Sequence, residues 1–192
     1  MTTIQNNQET EFYAAIGQAI TIWSHIEFKL SRIYSQFVRC DSYAALDSFY
    51  AMNTFSSKLK LVNAASNDGL PGGEATPGGE KLKQWRNLYN RMDRASVFRN
   101  KIAHYQVTKD YRDFPNPDNS NKVDLTKKEY KLKLSHPHLP MRPSEGKANE
   151  YWSSGISAAD IIDHIQKVNI ILGELKDFSD SLRNIDLSRP LA

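Results

Sequence analysis

Apolar residues recur near the start of the chain in alternating steps of four and three: Phe12, Ile16, Ala19, Trp23, Ile26, Leu30, Ile33 and Phe37. Residues three and four apart share a helix face, so this spacing predicts one apolar seam on a long helix over residues 11–39. The seven-residue recurrence fits antiparallel packing in a helical bundle. A second helical pattern follows with Leu46, Phe49, Met52, Phe55, Leu59 and Val62, and it stops at Asn67-Asp68-Gly69-Leu70-Pro71. Residues 69–79 hold five glycines and two prolines and read as a loop. A third helix is predicted from about Glu80, with Leu82, Trp85, Leu88, Met92 and Ala95 on its apolar face, continuing through Ile102.

The pattern changes between residues 105 and 152. Phe114-Pro115-Asn116-Pro117-Asp118-Asn119-Ser120 has the composition of a turn. Tyr130, Leu132 and Leu134 alternate with Lys131, Lys133 and Ser135, the period of a half-buried strand, and residues 106–109 can supply its partner. Residues 136–146 hold three prolines and read as an irregular loop. The last helix opens at a capping box, Ser157 with Asp160 three residues on, and runs to about Asn184. Its buried stripe is Ile161, Ile165, Val168, Leu172, Leu175 and Leu182. With no internal repeat and no legible boundary, residues 1–192 read as one all-α domain. Residues 105–152 are a loop or β-hairpin insertion before the last helix.

The chain has 192 residues, enough to bury one core. No apolar run is long enough to span a membrane. Residues 1–11 contain no Lys or Arg and lack the form of a signal peptide. The single cysteine, Cys40, has no internal partner, and together these features predict a reducing, cytoplasmic setting. Charge adds a partner class. Residues 81–109 hold eight basic residues against one acid, +7, so the rest carries −4 of the net +3. A basic segment in an otherwise acidic chain points to a polyanion; the plainer reading is a solvated helix face.

Within that segment stands Arg99-Asn100-Lys101-Ile102-Ala103-His104. On a helix, Asn100 and His104 share a face. A guanidinium presents a fixed fork of donors to phosphate oxygens, and an imidazole exchanges protons near neutral pH. An asparagine can orient that imidazole or bind a ribose. The plainer readings are a histidine against helix-terminal carbonyls and an arginine in a salt bridge, for example with Glu27. Glu27 lies beside the seam of the first helix and needs a cation, for which Arg94 and Arg99 are the expected candidates. Trp23, Trp85 and Phe37 fall at core spacing. His136-Pro137-His138 lacks a nearby Cys or acid for zinc. Asp160 and His164, four apart, read as an exposed helix face rather than a metal pair. No phosphate-binding Gly-rich loop and no Gly-x-Ser-x-Gly or His-Glu-x-x-His motif is present.

An Arg, a polar residue and a His a few positions on, late in a helical bundle, form the signature of HEPN domains. Arg99, Asn100 and His104 resemble it residue by residue. Trp23-Ser24-His25-Ile26-Glu27 resembles the Trp-x-x-hydrophobic-Glu pattern of several HEPN subgroups. The resemblance covers about residues 11–104 and 157–184, leaving out the insertion. It implies an HEPN-like antiparallel four-helix bundle and a metal-independent endoribonuclease, working as a homodimer without a cofactor, in a toxin–antitoxin or defence setting. His104 would then transfer protons, Arg99 would stabilise charge on the phosphate, and Asn100 would orient His104 or the ribose. Arg94, Lys101 and Lys109 would attract the RNA backbone, and Glu27 would support the site structurally. A cognate antitoxin or regulatory protein is the further implied partner. The alternative is a non-catalytic HEPN-like module that binds RNA or nucleotides, or docks a protein.

Overall fold

The computed structural model describes residues 3–40, 43–70, 77–110, 115–116, 119–123, 130–136 and 155–183. They are mostly helical: α1 (Thr3–Phe37), α2 (Tyr43–Tyr50), α3 (Phe55–Gly69), α4 (Pro77–His104) and α5 (Ala158–Leu182). Between α4 and α5 lie β1 (Gln106–Asp110), β2 (Pro115–Asn116), β3 (Asn119–Val123) and β4 (Lys131–Ser135). The chain divides into two compact units, residues 1–20 with 98–165, and residues 21–97 with 166–192. The dividing lines fall inside α1, α4 and α5.

The second unit holds the larger apolar core. Trp23, Ile26, Leu30, Ile33 and Phe37 of α1 meet Phe55, Leu59 and Val62 of α3 there. Trp85, Leu88 and Met92 of α4 and Val168, Leu175 and Phe178 of α5 complete it. The apolar spacing therefore marked the inward faces correctly. Two boundaries differ from the sequence expectation. The single helix expected around Leu46–Val62 is two, because Met52-Asn53-Thr54 interrupts it and Thr54 caps α3, its Oγ1 accepting from Ser57 N–H. α4 begins at Pro77 rather than Glu80, as a proline in the first turn allows. Residues 71–76 of the expected loop lie outside the described residues.

That break in the second helix sets direction. The Trp23 and Phe55 rings meet edge-on at 4.7 Å, Glu27 pairs with Lys58 at 2.5 Å, and Gly69 abuts Phe37. Moving forward along α1 thus moves forward along α3: the two run in the same direction, not antiparallel as the bundle expectation had them. The stretch between them, of which α2 makes up about 12 Å, carries the chain back over the roughly 21 Å of α1 between Phe37 and Trp23. α4 and α5 are antiparallel as expected, since Trp85 packs on Phe178 and Arg91 pairs with Glu174 one to two turns on.

In the first unit, Phe12, Ala15 and Ala19 of α1 are buried, as are Ile102 of α4, Tyr130 and Leu134 of the hairpin, and Ile161 and Ile165 of α5. β1 pairs antiparallel with β4, Gln106 opposite Ser135 through Asp110 opposite Lys131, so the expected hairpin forms. Leu134 and Ile156 exchange two backbone hydrogen bonds of 2.9 Å on the far side of β4. The turn-like stretch after Phe114 contains a second small ladder, β2 with β3, which alternation did not reveal. The loop expected over residues 137–146 lies outside the described residues. α5 opens as its capping box predicts: Ser157 N–H donates to Asp160 Oδ2 at 2.8 Å and Asp160 N–H donates to Ser157 Oγ at 3.3 Å. Among the described residues no helix is long and apolar enough to cross a membrane.

Candidate functional site

The last turns of α4 are amphipathic over a short distance. Ile102 is buried and Phe98 half-buried on the inward side, while Asn100, Lys101 and His104 are exposed. Phe98 stacks on the buried His164 of α5, ring centroids 4.5 Å apart and 29° from parallel. This aromatic pair and Ile102 hold the helix end from beneath. His164 is therefore a packing residue rather than part of the exposed face expected from its spacing to Asp160. Among the described residues no three His, Cys, Asp or Glu side chains cluster as a metal site would require.

Arg99 is half-buried, and its Nη1 donates to Asn100 Oδ1 at 3.3 Å. That bond turns the carboxamide so that its oxygen faces the guanidinium. His104 is the final residue of α4, and Tyr105 N–H closes the helix on Lys101 O at 2.9 Å before the chain extends into β1. The motif thus sits at a helix-to-strand joint, with Asn100 and His104 one turn apart and both open to solvent.

The remaining candidates separate. Lys101 is exposed in the same turn. Lys109 is exposed on β1, its Nζ 4.0 Å from the centre of the Tyr130 ring, and Tyr130 in turn donates its hydroxyl proton to Glu9. Arg94 is exposed on α4 but belongs to the second unit, as does Glu27. Within that unit Glu27 is held by Lys58, which also stands 5.3 Å from the Tyr50 ring centre. Lys58 was not legible as the partner because its meeting with Glu27 depends on the shared direction of α1 and α3. A groove of about 770 Å³ in the second unit is lined by residues including Lys81, Gln84, Asn87, Asp177 and Phe178, and it contains none of the candidates.

Sequence reasoning passed over Tyr105 and weighed His136 only as a zinc ligand. Their rings meet edge-to-face, centroids 5.3 Å apart. The ladder register brings them together, and alternation alone does not disclose register.

Compared with family models, curated proteins and solved structures, the chain matches none.

Proposed function

We propose that this chain is an HEPN-type endoribonuclease acting without a metal ion, with Arg99, Asn100 and His104 as its reacting set. The observation that carries the reading is the exposed end of α4. Asn100 and His104 share an open face there, and the Arg99 guanidinium is bonded to the Asn100 carboxamide beside them. An RNA phosphodiester placed against this turn meets a cation for its non-bridging oxygens. It also meets an amide for its ribose and an imidazole for proton transfer. The ribose 2′-oxygen attacks phosphorus, the P–O2′ bond forms and the P–O5′ bond breaks. The products are a 2′,3′-cyclic phosphate and a 5′-hydroxyl. Lys101, Lys109 and Arg94 add attraction for the backbone. A four-helix HEPN frame, a homodimer and control by a cognate antitoxin belong to the same reading.

Incubation of a mixed RNA pool with the protein in EDTA tests it. Wild type is expected to leave cyclic-phosphate ends, and His104→Ala to cut at least about a hundredfold more slowly. Equal cutting by the variant would remove His104 from the reaction. No cutting by either, together with RNA binding that survives His104→Ala, would favour the non-catalytic binding module instead.

A further inference from the structure

Cleavage of this kind needs two proton transfers, one from the attacking 2′-hydroxyl and one to the departing 5′-oxygen, and the motif offers one imidazole per chain, His104. The β1–β4 ladder supplies a second. Its outermost described pair is Gln106 opposite Ser135, so the next step in register sets His136 against Tyr105, the residue after His104. The Tyr105–His136 ring contact fits that step, with centroids 5.3 Å apart and planes at 69°. Consecutive Cα atoms lie 3.8 Å apart and facing Cα atoms of an antiparallel pair about 5.5 Å or less. Continuing the ladder by that step puts the Cα atoms of His104 and His136 about 9 Å apart, although they lie 32 positions apart in sequence. Both side chains are exposed. Imidazoles on Cα atoms at that separation can address the two ends of one phosphodiester.

We infer that His136 is the second proton-transfer group of the site, the general acid that protonates the leaving 5′-oxygen; this rests on the ribonuclease reading above. Attack and departure take place on opposite sides of phosphorus, so base and acid must flank it. His104 shares its turn with Asn100 and Arg99, the groups that would hold ribose and phosphate, and so takes the proton from the 2′-hydroxyl. His136 lies across the ladder beyond Tyr105, on the side of the departing strand. The P–O2′ bond forms as its proton passes to His104. The P–O5′ bond breaks as a proton passes from the His136 imidazolium to O5′. Exchange with water then restores both rings. Acid and base come from the same chain, with the insertion contributing one of them, which gives the hairpin a chemical purpose.

The test uses the full chain and two oligoribonucleotides that differ at one scissile position, an ordinary 5′-oxygen or a 5′-bridging sulfur. A thiolate departs without protonation, so the sulfur substrate does not need the acid. His136→Ala is expected to cut the oxygen substrate about a hundredfold more slowly than wild type and the sulfur substrate within a few-fold of it. His136→Gln, which keeps a polar side chain beside Tyr105, is expected to behave likewise. His104→Ala stays slow on both. Wild-type rates for the His136 variants on the oxygen substrate would overturn the inference and leave the ribonuclease reading standing. Equal slowing on both substrates would also overturn it, making His136 a structural residue. Failure of wild type to cut either substrate would remove both.

Discussion

At the start of α5, Ser157 and Asp160 satisfy each other's backbone N–H groups, and the Ser157 hydroxyl also donates to Asp160 Oδ2 at 2.6 Å. These bonds from Ser157, the side-chain bond first, hold the Asp160 carboxyl below its ordinary value of 3.8. A carboxylate whose folded pKa is lowered adds stability above its unfolded pKa and loses that addition as pH falls through the folded value. Ser157→Ala is therefore expected to cost about 1 kcal/mol at neutral pH. The gap from wild type should narrow as pH falls below about 4, where the unfolded carboxyl protonates first, and on through the lower folded value. It should not close, because the bond from Asp160 N–H to Ser157 Oγ does not depend on the carboxylate. Paired thermal melts from pH 7 downward check both parts. This residue pair was legible in advance because a capping box is a matter of local spacing. The Glu27–Lys58 pair was not, because its members sit 31 positions apart on different helices.

Between elements, α1 and α3 approach closely at their C-terminal ends. A Cβ built on Gly69 would stand 2.9 Å from Phe37 Cα and equally near its Cβ, so backbone rather than a flexible side-chain tip blocks it. Gly69→Ala is expected to destabilise the protein by about 1–3 kcal/mol, the cost of overpacking a fitted contact. Urea unfolding should show a lower midpoint with an unchanged slope; an unchanged midpoint would mean the helices separate there at no cost. The sequence marks Gly69 as part of a stop signal, and α3 does end there, with Leu70 N–H bonding to Ser66 O as its cap; that Gly69 also admits Phe37 was not legible. A glycine reads the same whether it ends a helix or admits a neighbouring one; the difference lies in what packs against it.

For the whole molecule, the charge asymmetry is the property that bears on a nucleic-acid partner. Of the basic residues in 81–109, Arg91 is paired with Glu174 and Lys109 stands over Tyr130, while Arg94 and Lys101 are exposed. If the basic segment meets RNA phosphates, each neutralised phosphate releases counterions. Binding should then weaken steeply with salt, with a log–log slope of roughly −0.7 per contact on a single strand. Fluorescence anisotropy with the His104→Ala variant, which leaves the RNA intact, is expected to give a slope of about −2 to −3. Arg94→Ala and Lys101→Ala should each reduce it by a little under one. A flat salt response would show that the segment is a solvated face.

By itself the sequence determined whatever depends on near neighbours: the inward stripes of the long helices, the capping box, the alternation of β4, and the placing of Arg99, Asn100 and His104 on one helix end. Each follows from periodicity or from contacts within one turn. The tertiary structure alone decided what depends on distant residues meeting. It split the second helix and so turned α3 to run with α1. It gave Glu27 its lysine and buried His164 against Phe98. Through the register of one ladder, it set His136 across from the residue that follows His104. Spacing along a chain constrains neighbours at short range, but which distant segments pair, and in what register, is settled only when burial and backbone hydrogen bonding are satisfied together.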